Sequence, residues 1–397
     1  MPVFRLALCL FPLAAAFAQS LAITDVVVYP SASESALRRA TVLINDGKIQ
    51  AVGEHVSVPA GLAAIRCSGC ALVAGFWNGH VHFTEPKWDG ASNKPAKQLT
   101  DQLRVMLARS GFTSVVDTGS LLSNTLAIRR RIDSGEVLGP RILTAGLPIY
   151  PPNGIPFYVK DGLSPELLRE LTPPNTVSDA VSAVERNIRD GADIVKLFTG
   201  SWITRDTVLP MPKEIAIASA QAAHRNGKLV FSHPSNLLGV RIAIDSGVDV
   251  LAHTPEDTRG VDQQILETAV QRGMAMIPTL KLFSGDRNIS EIRRVVWEFE
   301  NLGGSLVFGT DTGYLTDYDV SEEFKQLGKA NLTWRDVLRM LTENPARLFK
   351  DQTNRGRVVP GMIADLTILE TDPAVDPSAF WLVRYTIKNG RVIWESN

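Results

Sequence analysis

Eight short, nearly continuous apolar runs lie between residues 76 and 311, and they restrict the possible folds more than any other feature of the chain. They read FWNGHVHF, FTSVVD, RILTAG, DIVKLF, KLVFSH, DVLAH, MAMIPTL and SLVFGTD. Runs of this kind suit strands buried on both faces of a parallel sheet. Each is preceded or followed by helical patterning. From Ser178 to Asp190, Val181, Val184 and Ile188 recur at steps of three and four, with Ser178 as cap and Gly191 as stop. From Asn236 to Ser246, Leu238, Ile242 and Ala243 share one face and Gly247 ends it. Eight strands alternating with helices over about 270 residues predict an α/β fold, a closed (β/α)8 TIM-like barrel. Its expected bounds are residues 74–350.

The flanks have a different texture. Residues 19–73 carry the β-type runs DVVVY, ATVLI, KIQAVG and CALVAG, split by turns such as Asn45-Asp46-Gly47. Residues 351–397 return to that pattern with ADLTILE and YTIKNGRVIWE around an Asn389-Gly390 turn. Neither end is long enough for a core of its own, so the two are expected to combine into a small flanking β-sandwich domain.

Residues 1–18 stand apart. Arg5, the 13-residue apolar stretch LALCLFPLAAAFA and the small-x-small triplet Ala16-Phe17-Ala18 resemble a secretory signal peptide cleaved near Ala18. The stretch is short of the roughly 20 residues that span a bilayer. A periplasmic or secreted protein, free of the membrane after cleavage, is the expectation. In that compartment Cys67 and Cys70 of RCSGCALV could close a local disulfide. A redox motif would open a helix, and a zinc knuckle would need a second pair, so the two cysteines read as structural or incidental.

The chain has 397 residues, 45% of them hydrophobic, and a formal net charge of -1. That balance gives no electrostatic reason to expect nucleic acid or an anionic membrane as a partner. A small-molecule substrate is the expected partner, and a homo-oligomer is left open.

Active sites of such barrels form at the C-terminal ends of the strands. Of the six histidines, His55 falls in the N-terminal β segment and His224 near a helix end, where packing or the helix dipole suffices. The other four end strands: His80 and His82 strand one, His233 strand five, His253 strand six. Within a strand, residues i and i+2 point to one face, so His80 and His82 project together. Alone, an H-x-H pair is equally a pair of hydrogen-bonded histidines. Lys196 in the buried run of strand four and Asp311 closing strand eight share the same end. A bare ammonium there would be costly to desolvate. Together the six residues read as a metal site.

With these motifs in place the chain resembles the amidohydrolase superfamily over essentially its whole mature length. The H-x-H lies in GFWNGHVHF, the lysine in GADIVKLF and the aspartate in GTDTG. TENPARLF, GRVVPGMIADLTILETDP and IKNGRVI are similar to the family's closing segment. The likeness is strongest to the imidazolonepropionase-like and prolidase-like dipeptidase branch, in which the strand-four lysine is carboxylated. Ala74 stands where a proline is common, and AHTPED lacks the glycine that often follows the strand-six histidine.

The resemblance implies two divalent metal ions, with zinc suited to imidazole and carboxylate ligands. It assigns His80, His82 and Asp311 to the first, His233 and His253 to the second, and a CO2-derived carbamate on Lys196 to both. The pair would hold a hydroxide and polarise the scissile carbonyl. Asp311 would take the proton and pass it to the leaving nitrogen.

The residues say less about the substrate. After strand three, GLPIYPPNGIPFYV carries Tyr150, Phe157 and Tyr158, and is either a lid or a stiff surface excursion. Trp202, and Lys87 with Trp88, follow strands four and one on the catalytic side. Lys87 could meet a substrate carboxylate or simply be solvated. The leading expectation is a secreted hydrolase of a small amide: a dipeptide, an N-acyl amino acid or a cyclic amide. Hydrolysis of a phosphotriester or lactone by the same site, a mononuclear deaminase or cyclic-imide hydrolase, and an inactive metal-binding scaffold are the alternatives.

Overall fold

The computed structural model describes residues 20–163 and 165–396. The leader-like segment lies outside the described residues. Among those described, no helix is long and apolar enough to cross a membrane.

The N-terminal strands are β1 (Leu21–Val28), β2 (Leu37–Asn45), β3 (Lys48–Gly53), β4 (Ala64–Arg66) and β5 (Ala71–Ala74). The eight apolar runs all become strands. They are β6 (Phe76–Val81), β7 (Phe112–Asp117), β8 (Arg141–Thr144) and β9 (Ile194–Phe198), then, after the hairpin β10 (Gly200–Trp202) and β11 (Val208–Pro210), β12 (Leu229–His233), β13 (Val250–Ala252), β14 (Ala275–Ile277) and β15 (Ser305–Leu306). The chain ends with β16 (Leu366–Leu369), β17 (Val383–Lys388) and β18 (Arg391–Glu395).

The two flanks do meet, but not as a sandwich of separate sheets. They form one hydrogen-bonded sheet of eight strands, β18-β17-β16-β5-β1-β2-β3 with β4 beside β1. β5 shows why they must meet. Its alternate residues serve two cores: Leu72 and Ala74 pack with Ile23, Val42 and Ile368, whereas Ala71 and Val73 belong to the large core with Phe76, Phe112 and Phe380. A strand buried on both faces needs partners on both edges, and β1 and β16 supply them. Cys67 and Cys70 are disulfide-bonded just before β5, with both cysteines in the smaller core.

β6-β7-β8 form one parallel sheet and β9-β12-β13-β14-β15 another. Continuous ladders stop there, but single hydrogen bonds span both gaps. Ile149 N–H donates to Lys196 O at 2.8 Å and Asp193 N–H to Thr144 O at 2.7 Å; on the other side Gly79 N–H donates to Phe308 O at 2.7 Å and His82 N–H to Thr312 O at 2.8 Å. Val116, Ile194, Phe231, Val250 and Ile277 from these strands, with Val307 just after β15, pack into a cluster of their own.

Helices cover the other face. The first expected helix spans Val177–Arg189, and its cap is Thr176, whose side chain forms a capping box with Asp179; Ser178 lies inside the first turn. The second spans Leu237–Ser246 with Asn236 as cap and Gly247 in the left-handed conformation. Ile242 and Ala243 are buried there as expected, but Leu238 is 50% exposed.

Candidate active site

All six residues expected to ligate metal come together at the ends of β6, β9, β12, β13 and the segment after β15. His80 and His253 rings lie 4.3 Å apart between centroids, His233 and His253 4.6 Å, His80 and His82 5.2 Å. Asp311 Oδ1 is 3.0 Å from His82 Nε2 and 3.5 Å from His80 Nε2. Lys196, only 2% exposed, donates from Nζ to Ala252 O at 3.2 Å. Ligand atoms of His80, His253 and Asp311 all lie within 4.8 Å of one another, close enough to share one ion.

Outer partners orient two of the imidazoles. His82 Nδ1 lies 2.7 Å from Gly119 O, and His253 Nδ1 lies 2.6 Å from Thr279 Oγ1. Each arrangement leaves Nε2 turned toward the cluster, since a partner on Nδ1 fixes the ring and leaves the other nitrogen to ligate. Gly119 is itself set by Asp117, a fully buried carboxylate that accepts from Gly119 N–H, Ser120 Oγ, Thr125 Oγ1 and Thr144 Oγ1. Backbone strain gathers at the same place: Asp311 has φ +57° and His253 φ +147°.

Burial, with the Lys196 charge next, holds His80 well below the ordinary imidazole range; burial and then His233 do the same for His253. Both are therefore neutral, the form that ligates metal. For His82 burial pulls downward, but its hydrogen bond and charge interaction with Asp311 outweigh it and raise the pKa. Desolvation lowers Lys196 to about 7, against the pull of Asp311 and Glu256. The donor set fits a metal centre on a further observation: His80 Nδ1 and His233 Nε2 are buried with no hydrogen-bond partner.

The cluster forms the floor of a cavity of about 840 Å³. Tyr150 and Trp202 line it, and the segment after β8 is one of its walls, with the Tyr150 ring 4.6 Å from Phe198 and the Tyr158 ring 5.8 Å from Tyr314. Lys87 does not line it. Its ammonium is 2.9 Å from Glu85 Oε1, bonded to Tyr318 and lies over the Tyr318 ring, so its charge is already engaged. Arg205, which sequence reasoning missed, does reach the cavity and stacks its guanidinium 5.5 Å from the Phe157 ring. Glu256 was also missed; its Oε1 is 3.0 Å from His233 Nε2, though off the direction a hydrogen bond requires. Its position three residues after a strand-ending histidine was the available signal. His224 lies elsewhere, with Nε2 2.9 Å from Asp249 Oδ2, and His55 occupies an exposed turn after β3.

Residues 71–393 match the model of the amidohydrolase family. A dihydroorotase of Clostridium acetobutylicum is 22% identical, with 89% of this chain and 95% of that one aligned. Among solved structures, a Xaa-Pro dipeptidase with bound methionine in the active site superposes with a TM-score of 0.79 at 21% identity, covering 95% of this chain and 100% of that one. A putative prolidase from Bifidobacterium longum gives 0.78 at 23%, covering 96% and 95%. The chain belongs to the amidohydrolase family and is a metal-dependent hydrolase acting on carbon–nitrogen bonds.

Proposed function

We propose that this chain is a secreted, binuclear hydrolase of a small amide, built on a (β/α)8 barrel that the two parallel sheets close between them. The bonds across both gaps and the separate strand-lined cluster support the barrel. The observation that carries the activity is the convergence of four imidazoles, a desolvated lysine and an aspartate on one cavity floor. His80, His82 and Asp311 would hold one divalent ion, zinc by ligand type, His233 and His253 the other, and a carbamate on Lys196 both. Such ions, when bound, supply an activated water and polarise the carbonyl.

The chain's own residues do the rest. A lysine lowered to about 7 has a substantial neutral fraction at physiological pH, which capture of CO2 requires. Asp311 accepts the proton of the attacking water and returns it to the leaving nitrogen. The aromatic residues Tyr150, Phe157, Tyr158 and Trp202, which all line the cavity, exclude water and pack apolar substrate surface.

Metal analysis of protein purified without chelator tests the reading, with about two transition-metal ions per chain expected. A value near one supports the mononuclear alternative. Lys196→Ala should bind fewer ions and be nearly inactive, and acetate or propionate should restore part of the activity by replacing the carbamate oxygens. Full turnover in that variant would remove the carbamate. N-terminal sequencing of the exported protein, expected to begin near Gln19, checks secretion.

A further inference from the structure

The turn that follows β14 does not use the cap its own sequence offers. Thr279 O accepts Leu282 N–H at 3.1 Å and Leu280 O accepts Phe283 N–H at 3.2 Å, so tight turns run on from Thr279. The first N–H groups of such a run, those of Leu280 and Lys281, find no partner within it. A threonine at its head ordinarily accepts one of them with its own hydroxyl. Here both go to Glu323 instead, Leu280 N–H to Oε1 at 3.0 Å and Lys281 N–H to Oε2 at 2.6 Å. Glu323 belongs to the helix Ser321–Lys329, is fully buried and does not line the cavity.

The Thr279 hydroxyl is thereby free for another task. It lies 2.6 Å from His253 Nδ1 and donates to Pro278 O at 2.8 Å. A hydroxyl has one proton, and a carbonyl can only accept. With that proton on Pro278 O, Thr279 Oγ1 meets the imidazole as an acceptor, so Nδ1 carries the ring hydrogen. The lone pair of a neutral ring is then on Nε2, the nitrogen left for a metal. The arrangement keeps a β-branched residue at φ +49°, which persists only where its surroundings impose it. Glu323 imposes it by fixing the two peptides that follow. The Lys281 ammonium adds a second tie, reaching Asp317 and Asp319 O just ahead of the Glu323 helix.

We propose that Glu323 is a positioning residue for the metal centre: by capping the turn in place of Thr279, it releases the threonine hydroxyl to hold His253 in the Nδ1–H tautomer with Nε2 free to ligate. This rests on the metal reading above. The link runs from a helix outside the cavity to its floor through one turn of chain.

The test uses the full chain with 15N-labelled histidine, first stripped of metal, so that the His253 ring nitrogens report the tautomer without turnover. Wild type and Thr279→Ser, which keeps the hydroxyl, should show Nδ1–H. Thr279→Val keeps the shape and loses the hydroxyl, and Glu323→Gln offers one acceptor oxygen in place of two; both should move toward Nε2–H. After reloading with zinc, these two variants should give up an ion at roughly 10–100-fold lower chelator concentration than wild type, the usual cost of losing a group that orients a ligand. Thr279→Ser should hold its zinc like the wild type. An unchanged tautomer with unchanged zinc retention in Glu323→Gln overturns the proposal. So does equal loss in Thr279→Ser and Thr279→Val, which would make the turn merely structural. If Glu323→Gln does not fold, Glu323→Asp, which draws both oxygens back by one methylene, takes its place with the same two outcomes. Should the wild type take up no zinc, the metal reading fails, whereas the tautomer comparison still decides the link from Glu323 to His253.

Discussion

Asp311 is placed to do two things, since Oδ1 reaches both histidines of the H-x-H pair and the residue is held at φ +57° at the cavity floor. Asparagine keeps its shape and one ligating oxygen but cannot take a proton. In Asp311→Asn, steady-state turnover should therefore fall by at least about a hundredfold, while most of the metal, measured by elemental analysis, is retained. Unchanged turnover would place the proton elsewhere. Glu323 makes a different prediction. It is fully buried, accepts Leu280 N–H at 3.0 Å and Lys281 N–H at 2.6 Å, and burial pushes its carboxyl up to about 8 despite those bonds. The folded state thus holds this proton more tightly than the unfolded chain. The associated stability is complete below the ordinary value of 4.5 and is lost as pH rises through about 8. Glu323→Gln should gain on the wild type over that window by on the order of a few kcal/mol, read from urea midpoints at pH 5 and pH 9. A constant difference would mean the carboxylate is ionised throughout. The six clustered residues were legible in the sequence because each ends or lies in an apolar run, so its address follows from the strand. Arg205 and Glu256 were not, because they sit in loops whose course no periodicity describes. Lys87 misled because a sequence does not show that Glu85 and Tyr318 close on it.

The eight parallel strands were legible as elements for the same physical reason: burial on both faces leaves a run with no polar alternation. The single flanking sheet was not, since it depends on β5 pairing with β1 and with β16, segments separated by most of the chain. The misplaced helix cap has a local cause. Thr176 and Asp179 have the spacing of a capping box, and Ser178, an equally good cap by residue type, lies between them. The junction between β5 and β6 is where the two cores are joined, and Gly75 occupies it. Its N–H donates to Asp365 O at 2.7 Å, and a Cβ there would run into the Thr113 side chain and lie 2.9 Å from the Asp365 carbonyl carbon. Neither neighbour can yield without moving β7 or the start of β16. Gly75→Ala should cost about 1–3 kcal/mol, the usual range for overpacking, with little change in the denaturant m-value. A variant as stable as the wild type would show that the junction gives way more easily than its packing indicates.

At the scale of the whole molecule, the C-terminal strands belong to both cores at once. Leu366, Ile368 and Ile387 complete the smaller core, whereas Leu369, Ala379, Phe380 and Val383 enter the large one beside Phe76 and Phe112. Thr367 adds a polar tie, donating from Oγ1 to Gly111 O at 2.8 Å. A chain ending at Asp351 would keep every residue of the candidate site and every one of the eight parallel strands. It would nevertheless leave one edge of β5 unpaired and expose apolar residues on both faces of that strand, an arrangement that favours aggregation over folding. Deletion of residues 352–397 should therefore abolish soluble, cooperatively melting protein, checked by expression yield, far-UV circular dichroism and metal content. Were the truncated chain to fold, melt cooperatively and bind metal like the full one, the parallel-strand unit would be autonomous, and the flanking sheet would have to be explained by something other than stability.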